Sequence, residues 1–424
     1  MRINIEKIIY PGKSLSRKDN KIVLTDSGIA GETVKCSLVK DKKNYIQAKT
    51  DAVITPSAHR KDPRCTHFHI CSAYQYIDYE QQLKIKKDQL QEIFSNFPGQ
   101  LISKKVRASN IIWGYRNKIH LHIITDNNTT VCAYHAPGKS NKFTPIDRCF
   151  LATDLMNRLI SEFLLCLAPG MEKYVNEITL QRSLSSKKFL LCCYGPLKKK
   201  ELEVLNPMLE LKNKFSLAGI VYINKRKAEK SILFGKDQLS EKVAGKTFLF
   251  GCQSFFQINI PMLELLIKDL KKELPHSAEQ SLLDLYCGVG TFAIALSGFF
   301  PNIKAVDSSR ANISFLKKNM SINAISHIET VNAKCANWIK NAQKKPPDTI
   351  IVDPPRRGLE NEVIEAINKI KPGLIAYISC DPATLCRDLK KLFQEYSLRN
   401  INAYDFFPHT PHIETLSILE KKLA

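Results

Sequence analysis

SLLDLYCGVGTFAIALS, residues 281–297, is the stretch that decides the fold. An apolar run closes on Asp284, a turn carrying Gly288 and Gly290 follows, and an apolar segment of helical character starts at Thr291. Strand, glycine turn and helix in that order make the first unit of an open α/β sheet, whose ligands bind outside the carboxyl ends of the strands. Gly288 and Gly290 allow the backbone to approach a ligand, or simply to turn tightly. NIKAVD (302–307) reads as the next strand, and its terminal acid, Asp307, lies where a ribose diol would be hydrogen-bonded. A dinucleotide site would need a third glycine, and the G-x-G-x-x-G spacing is not completed here.

Moving outward, DTIIVDPPRRGL (348–359) and GLIAYISC (373–380) are further strand candidates. Helical patterns such as ANISFLKKNMSIN (311–323) and LENEVIEAINKI (359–370) lie between the strands. Apolar strands alternating with helices predict a parallel sheet covered on both faces, so residues 255–424 read as a Rossmann-like α/β domain. Asp353 would emerge into the same crevice, with Pro354 and Pro355 stiffening the turn after it. Arg356 and Arg357 suit a phosphate or RNA backbone, or a solvated face. Cys380 ends a buried strand just before a turn into a helix, where a helix N-terminus would lower the pKa of a thiol. On position alone, a buried inert cysteine fits equally well.

Upstream, residues 1–58 read as a basic, all-β, OB-like barrel. KIVLTDSG, ETVKCSLVK and IQAKTDAVI are short strands between turn residues. Such barrels often bind single-stranded nucleic acid or merely pack on a neighbour. Residues 59–254 read as an α+β middle domain with strands at KIHLHIITD, NEITLQRS, KFLLCCYG, LAGIVYINK and KTFLFG. A helix from Asp78 carries Leu83, Leu90 and Ile93, and residues 77–108 are expected to pack with the catalytic domain. Tyr115 and Arg116, at the head of YRNKIHLHI, read as the start of a plain strand or as an RNA contact.

The 424 residues hold 63 Lys and Arg against 41 Asp and Glu, a formal charge of +22, which points to a polyanionic partner. No stretch reaches the ~20 apolar residues of a membrane helix, and the N-terminus lacks a secretory signal. A cytoplasmic protein with no membrane partner is the expectation. The 13 cysteines, odd in number and scattered, argue against a disulfide framework and for small buried apolar residues.

DLYCGVGTF (284–292) is similar to the first motif of class I methyltransferases. With DPPRRGL (353–359), YISCDPATLCRDL (377–389), DFFPHTPHIETL (405–416) and SFFQIN (254–259), all in one order, it resembles the RNA uracil-C5-methyltransferase family. The resemblance covers most of the chain and is densest over 250–424. It implies methylation of a uridine at C5 in RNA, with S-adenosylmethionine as cofactor. C5 of uracil is a poor nucleophile, so the chemistry needs a thiolate added at C6 and a base to remove the C5 proton. By the family motifs, Cys380 is the nucleophile and Glu414 the proton acceptor; His412 is given no role. Gln257, Tyr286, Gly288, Asp307 and Asp353 would line the cofactor site. Tyr286 stands where another aromatic is usual and Asp307 where glutamate is usual. An acid that often contacts adenine has no counterpart in ETVNAKCANW (329–338).

The N-terminal barrel resembles the TRAM domain of members that modify 23S ribosomal RNA, and members acting on transfer RNA commonly lack it. Ribosomal RNA is therefore the expected substrate, with transfer RNA as the alternative, and the protein is expected to be monomeric. CTHFHICSAYQ (65–75) and IDRCF (146–150) place Cys65, Cys71 and Cys149 where iron–sulfur members carry ligands, but Tyr74 stands in place of another cysteine. Three thiolates remain where a cluster uses four, so loss of the cluster is favoured over a three-cysteine cluster or a zinc site. Two rivals stand against the uridine reading. A cytosine-C5 enzyme would normally carry a second cysteine where DPPRRG has none, and a non-catalytic RNA-binding factor would not need intact Cys380 and Glu414.

Overall fold

Five strands in the C-terminal part of the chain, four of them apolar runs, become parallel neighbours: Ser281–Leu285, Asn302–Asp307, Ile328–Asn332, Thr349–Val352 and Leu374–Ser379. The sheet runs third, second, first, fourth, fifth, and is completed by Glu414–Lys421 and then Tyr396–Tyr404. These last two strands are antiparallel to their neighbours, so the sheet is mixed where the sequence reading expected parallel strands throughout. Ile328–Asn332 also escaped that reading because it is an edge strand with only its first residue buried. The computed structural model describes residues 1–97, 103, 105–127, 129–136, 142–168, 170–275, 280–341 and 346–422.

Alternate residues of these strands feed two different cores. Leu282, Ala305, Ile351 and Ala376 face Phe292, Leu316 and Leu266. Leu283, Val306, Ile350 and Ile375 face Val363, Ile367, Leu385 and Leu389. The first core also takes Val243, Phe248 and Phe250 from the hairpin Gln238–Val243/Lys246–Gly251. The second takes Leu90 and Phe94, so the helix Tyr79–Ile93 covers the catalytic sheet although it is distant in sequence. Asp78 caps that helix by accepting from the Gln81 amide.

The N-terminal strands form a six-stranded barrel-like sheet around Ile3, Ile5, Val23, Val34 and Cys36. The seven-stranded middle sheet runs from Glu229–Gly235 through Lys118–Asp126 to Phe143–Ile146, and the helix Asp154–Leu165 packs on one face of it. Cys192, within Phe189–Gly195, is disulfide-linked to Cys252, just after the hairpin, with Cα atoms 6.1 Å apart. The sequence reading took both as isolated buried residues; the packing of the hairpin on the middle sheet is what brings them together. No helix among the described residues is long and apolar enough to cross a membrane.

Candidate active site

The loop after Ser281–Leu285 is built from backbone that side chains rarely tolerate. Tyr286, Gly288 and Gly290 have φ of +62°, +57° and +87°. The two glycines serve different ends. A Cβ at 290 would lie 2.2 Å from Leu316 Cδ1, whereas one at 288 would meet nothing within 4 Å. Gly288 lines the crevice, as the sequence suggested. Gly290 instead lets the helix Arg310–Ile322 pack close, which corrects its reading as a ligand-facing glycine. Asp307 clamps the loop: its carboxylate accepts from the Gly288 amide at 3.0 Å, the Ser309 amide at 2.7 Å and Asn312 Nδ2 at 3.1 Å. Two carboxylate oxygens offer about four acceptor sites, so one remains for a ribose hydroxyl.

All seven residues predicted for catalysis and cofactor binding line one cleft of about 760 Å³: Gln257, Tyr286, Gly288, Asp307, Asp353, Cys380 and Glu414. Topology brings the last three together. Asp353 follows the fourth strand and Cys380 the fifth, at the carboxyl ends of two neighbouring strands. Glu414 opens the antiparallel strand next to Cys380: Ser379 pairs with Thr415, so the register carries Cys380 toward Glu414 one step on. Gln257 Nε2 reaches Asp353 Oδ2 at 3.5 Å, and Tyr286 OH donates to Glu360 Oε2 at 3.4 Å. Sequence reasoning missed Phe255, Phe407, Glu360, Ser309 and Asn312 in this lining. Where it found no acid for adenine, the lining supplies Lys334 and Cys335.

Burial dominates the electrostatics. It pushes the Cys380 thiol up to about 12, with the charges of Glu414 and Asp353 adding to the effect and Arg356 opposing it. The expected lowering by the following helix does not occur. Asp381 already occupies that N-terminus, accepting from the Ala383 and Thr384 amides at 3.0 Å each. Burial likewise raises Asp353 to about 7, and raises Glu414 well above the ordinary carboxylate range with the Asp353 charge adding to it. Asp284, buried beneath the loop, is raised to about 8. Burial beside Arg356 lowers His412 to about 4, so its ring is neutral and Nε2 faces Arg356 Nη2 at 3.3 Å.

The segment that delivers Glu414 is gripped from outside the catalytic sheet. Lys86 Nζ donates to Asp405 Oδ1 at 2.6 Å and to the Phe407 carbonyl at 3.2 Å, both side chains being fully buried. Gln82 accepts from the His409 amide, and Trp113 stacks on the His409 ring with centroids 3.7 Å apart. Tyr115, read from sequence as part of a plain strand or an RNA contact, is buried and donates to the Pro408 carbonyl at 3.2 Å. Tyr10, in the turn just after the N-terminal strand Lys7–Ile9, donates to Asp381 Oδ2 at 3.1 Å.

Cys65, Cys71 and Cys149 lie apart from this cleft. Among the described residues no three of His, Cys, Asp and Glu are grouped to hold a metal ion. The residues around the thiols fit a cluster poorly. Tyr74, where another cysteine would stand, is fully buried with its hydroxyl bonded by Gln89 Nε2 at 2.9 Å. Gln75 Nε2 donates to Cys65 Sγ and Tyr134 OH to Cys149 Sγ, each at 3.2 Å.

Comparison with known proteins agrees with this arrangement. A family model described as tRNA (Uracil-5-)-methyltransferase matches residues 78–422. An uncharacterised RNA methyltransferase of Bacillus cereus is 24% identical, covering 99% of this chain and 96% of its own. One from Clostridium tetani is 26% identical over 96% and 93%. Among solved structures, the Pyrococcus abyssi tRNA (uracil-54, C5)-methyltransferase in complex with S-adenosyl-L-homocysteine is 25% identical. It aligns over 99% of each chain with a TM-score of 0.77. A model matching most of the chain, over the same residues that build the cleft, means that this protein belongs to the tRNA (uracil-5-)-methyltransferase family.

Proposed function

We propose that the protein methylates C5 of a uridine in RNA, with Cys380 as covalent nucleophile and Glu414 as proton acceptor. One observation carries this reading: Cys380, Glu414 and Asp353 meet in the cleft that also holds the proposed cofactor residues. S-adenosylmethionine supplies the methyl group; Gln257, Tyr286, Gly288, Asp307 and Asp353 would hold it. The Cys380 proton passes to the neighbouring carboxylate pair as sulfur bonds to C6, moving the ring electrons toward C5 and O4. C5 then takes the methyl group, leaving S-adenosylhomocysteine. Glu414 removes the C5 proton, the C5–C6 double bond re-forms, and the C6–sulfur bond breaks, the released thiolate taking its proton back from the carboxylate pair. A target base inside a folded RNA must be turned out of its stack to reach Cys380.

The barrel's resemblance to TRAM supports 23S ribosomal RNA as the substrate. A specific observation favours a second reading, transfer RNA. The Pyrococcus abyssi enzyme, named for uracil 54 of tRNA, aligns over 99% of each chain, so the barrel does not separate the two classes. Nucleoside mass spectrometry of both RNA classes from a deletion strain tests the reading. Loss of 5-methyluridine from one class identifies the substrate; loss of 5-methylcytidine instead would overturn the base assignment. In vitro, Cys380→Ala should abolish transfer, and Glu414→Gln should accumulate an RNA–protein adduct that survives denaturation. Full activity in Cys380→Ala would remove the nucleophile from the reading.

A further inference from the structure

Among the described residues, none covers part of one face of the middle sheet. In Lys118–Asp126, Ile119, Leu121 and Ile123 point into the core beneath the helix Asp154–Leu165. Side chains alternate along a strand, so His120 and His122 face the other way. Elsewhere on that second face Leu190, Cys192, Val221 and Ile223 are covered, sharing a core with Phe250, Phe256 and Ile260. The uncovered part therefore borders the elements that carry the catalytic cleft.

On it five rings touch in sequence. Centroids are 6.1 Å apart for Tyr194 and His120, 5.6 Å for His120 and His122, and 4.6 Å for His122 and Phe143. His135 completes the set, 5.8 Å from His122 and 5.3 Å from Phe143. Cross-strand pairing explains the cluster: Glu177 sits opposite both Tyr194 and His122, and His135 opposite Phe143. His120, His135 and Phe143 are exposed, His122 is half-buried, and Tyr194 is buried at the edge of the neighbouring core. Burial lowers the pKa of His120 and His122, so these rings present neutral π faces. Glu177 takes His120 Nε2 at 3.0 Å and also pairs with Lys225, whose ammonium lies 4.9 Å above the Tyr194 ring. A carboxylate at the centre repels phosphates, while grouped exposed rings suit the flat faces of bases.

The position relative to the cleft is fixed by Asn117, immediately before the strand. Its amide donates to the Ile258 carbonyl at 3.2 Å and its Nδ2 to the Gln257 carbonyl at 3.1 Å, and both partners line the cleft. At ~3.3 Å per residue, His120 and His122 stand roughly 10 and 17 Å from that anchor, within reach of nucleotides next to a base in the cleft.

We propose that the rings of His120, His122, His135 and Phe143, backed by the buried ring of Tyr194, form a stacking platform for unpaired bases flanking the target uridine, an inference that rests on the RNA-methylating reading above. The net charge of +22 draws the RNA in, and the platform orders the strand leaving the cleft.

Fluorescence anisotropy with a labelled oligouridine of about 12 nucleotides, a length within the site sizes of single-strand binders, tests this on the full-length protein. His122→Ala/Phe143→Ala should raise Kd about tenfold, the loss expected for one stacked base. His122→Tyr/Phe143→Tyr, which keeps both rings, should bind like the parent. Calorimetric titration with S-adenosylmethionine, unchanged in both variants, reports that the fold is intact. Parent-like binding by the alanine pair overturns the platform, as does equal weakening of the tyrosine pair or failure of the parent to bind. Transfer of labelled methyl groups to total RNA by the parent protein is read separately. Its absence would defeat the proposed reaction and leave the binding result interpretable.

Discussion

Cys380, the proposed nucleophile, sits in surroundings that keep its sulfur protonated. Burial, with the charges of Glu414 and Asp353 adding to it, raises the thiol to about 12. The same burial makes the two acids better proton acceptors, since a carboxylate raised to about 7 holds a proton far more firmly than an ordinary one. Only its ionised form can accept, so the sign follows: activity should rise with pH as Asp353 ionises around 7. Measured kcat/KM between pH 6 and 8.5 should climb by about tenfold; a flat profile would separate Asp353 from the proton path. At this scale the motifs in the sequence named the residues correctly as cleft residues. They missed the electrostatics, because position before a helix suggested a lowered thiol pKa while the cap on that helix is its own neighbour, Asp381.

Strand, glycine turn and helix at 281–297 were legible as an element because period and glycine spacing are local properties. The division of labour between the two glycines was not. It depends on Leu316, which approaches from a different helix. Gly290→Ala should therefore cost about 1–3 kcal/mol by overpacking and backbone strain, lowering the melting temperature and weakening S-adenosylmethionine binding together. Gly288→Ala, with open space around its Cβ, should cost less; thermal melting of the two variants side by side checks the order. The polar edge strand Ile328–Asn332 and the antiparallel return of Glu414–Lys421 were hidden for a related reason. A strand that is mostly exposed, or whose direction is set by its partners, leaves little trace in apolar periodicity.

Across the whole molecule, regions far apart in sequence converge on the segment that carries Glu414. Lys86 and Asp405 are 319 residues apart and form an ion pair with both side chains fully buried. Removing one partner leaves a buried charge, so Lys86→Met should destabilise the protein by about 3–5 kcal/mol. Lys86→Met/Asp405→Leu should recover most of that loss, as urea unfolding curves will show; equal loss in both variants would mean that packing, not charge, is what the pair supplies. The sequence by itself determined the α/β class, the family, and the identity of the residues that meet in the cleft. These rest on local pattern and on motif order, which chain folding does not alter. Tertiary structure alone decided that Gly290 serves Leu316, that Lys86 meets Asp405 behind the segment carrying Glu414, and that five rings gather beside the cleft. Each of these depends on which distant side chain arrives at a given point and on how much water it displaces, and neither quantity is written in the order of residues.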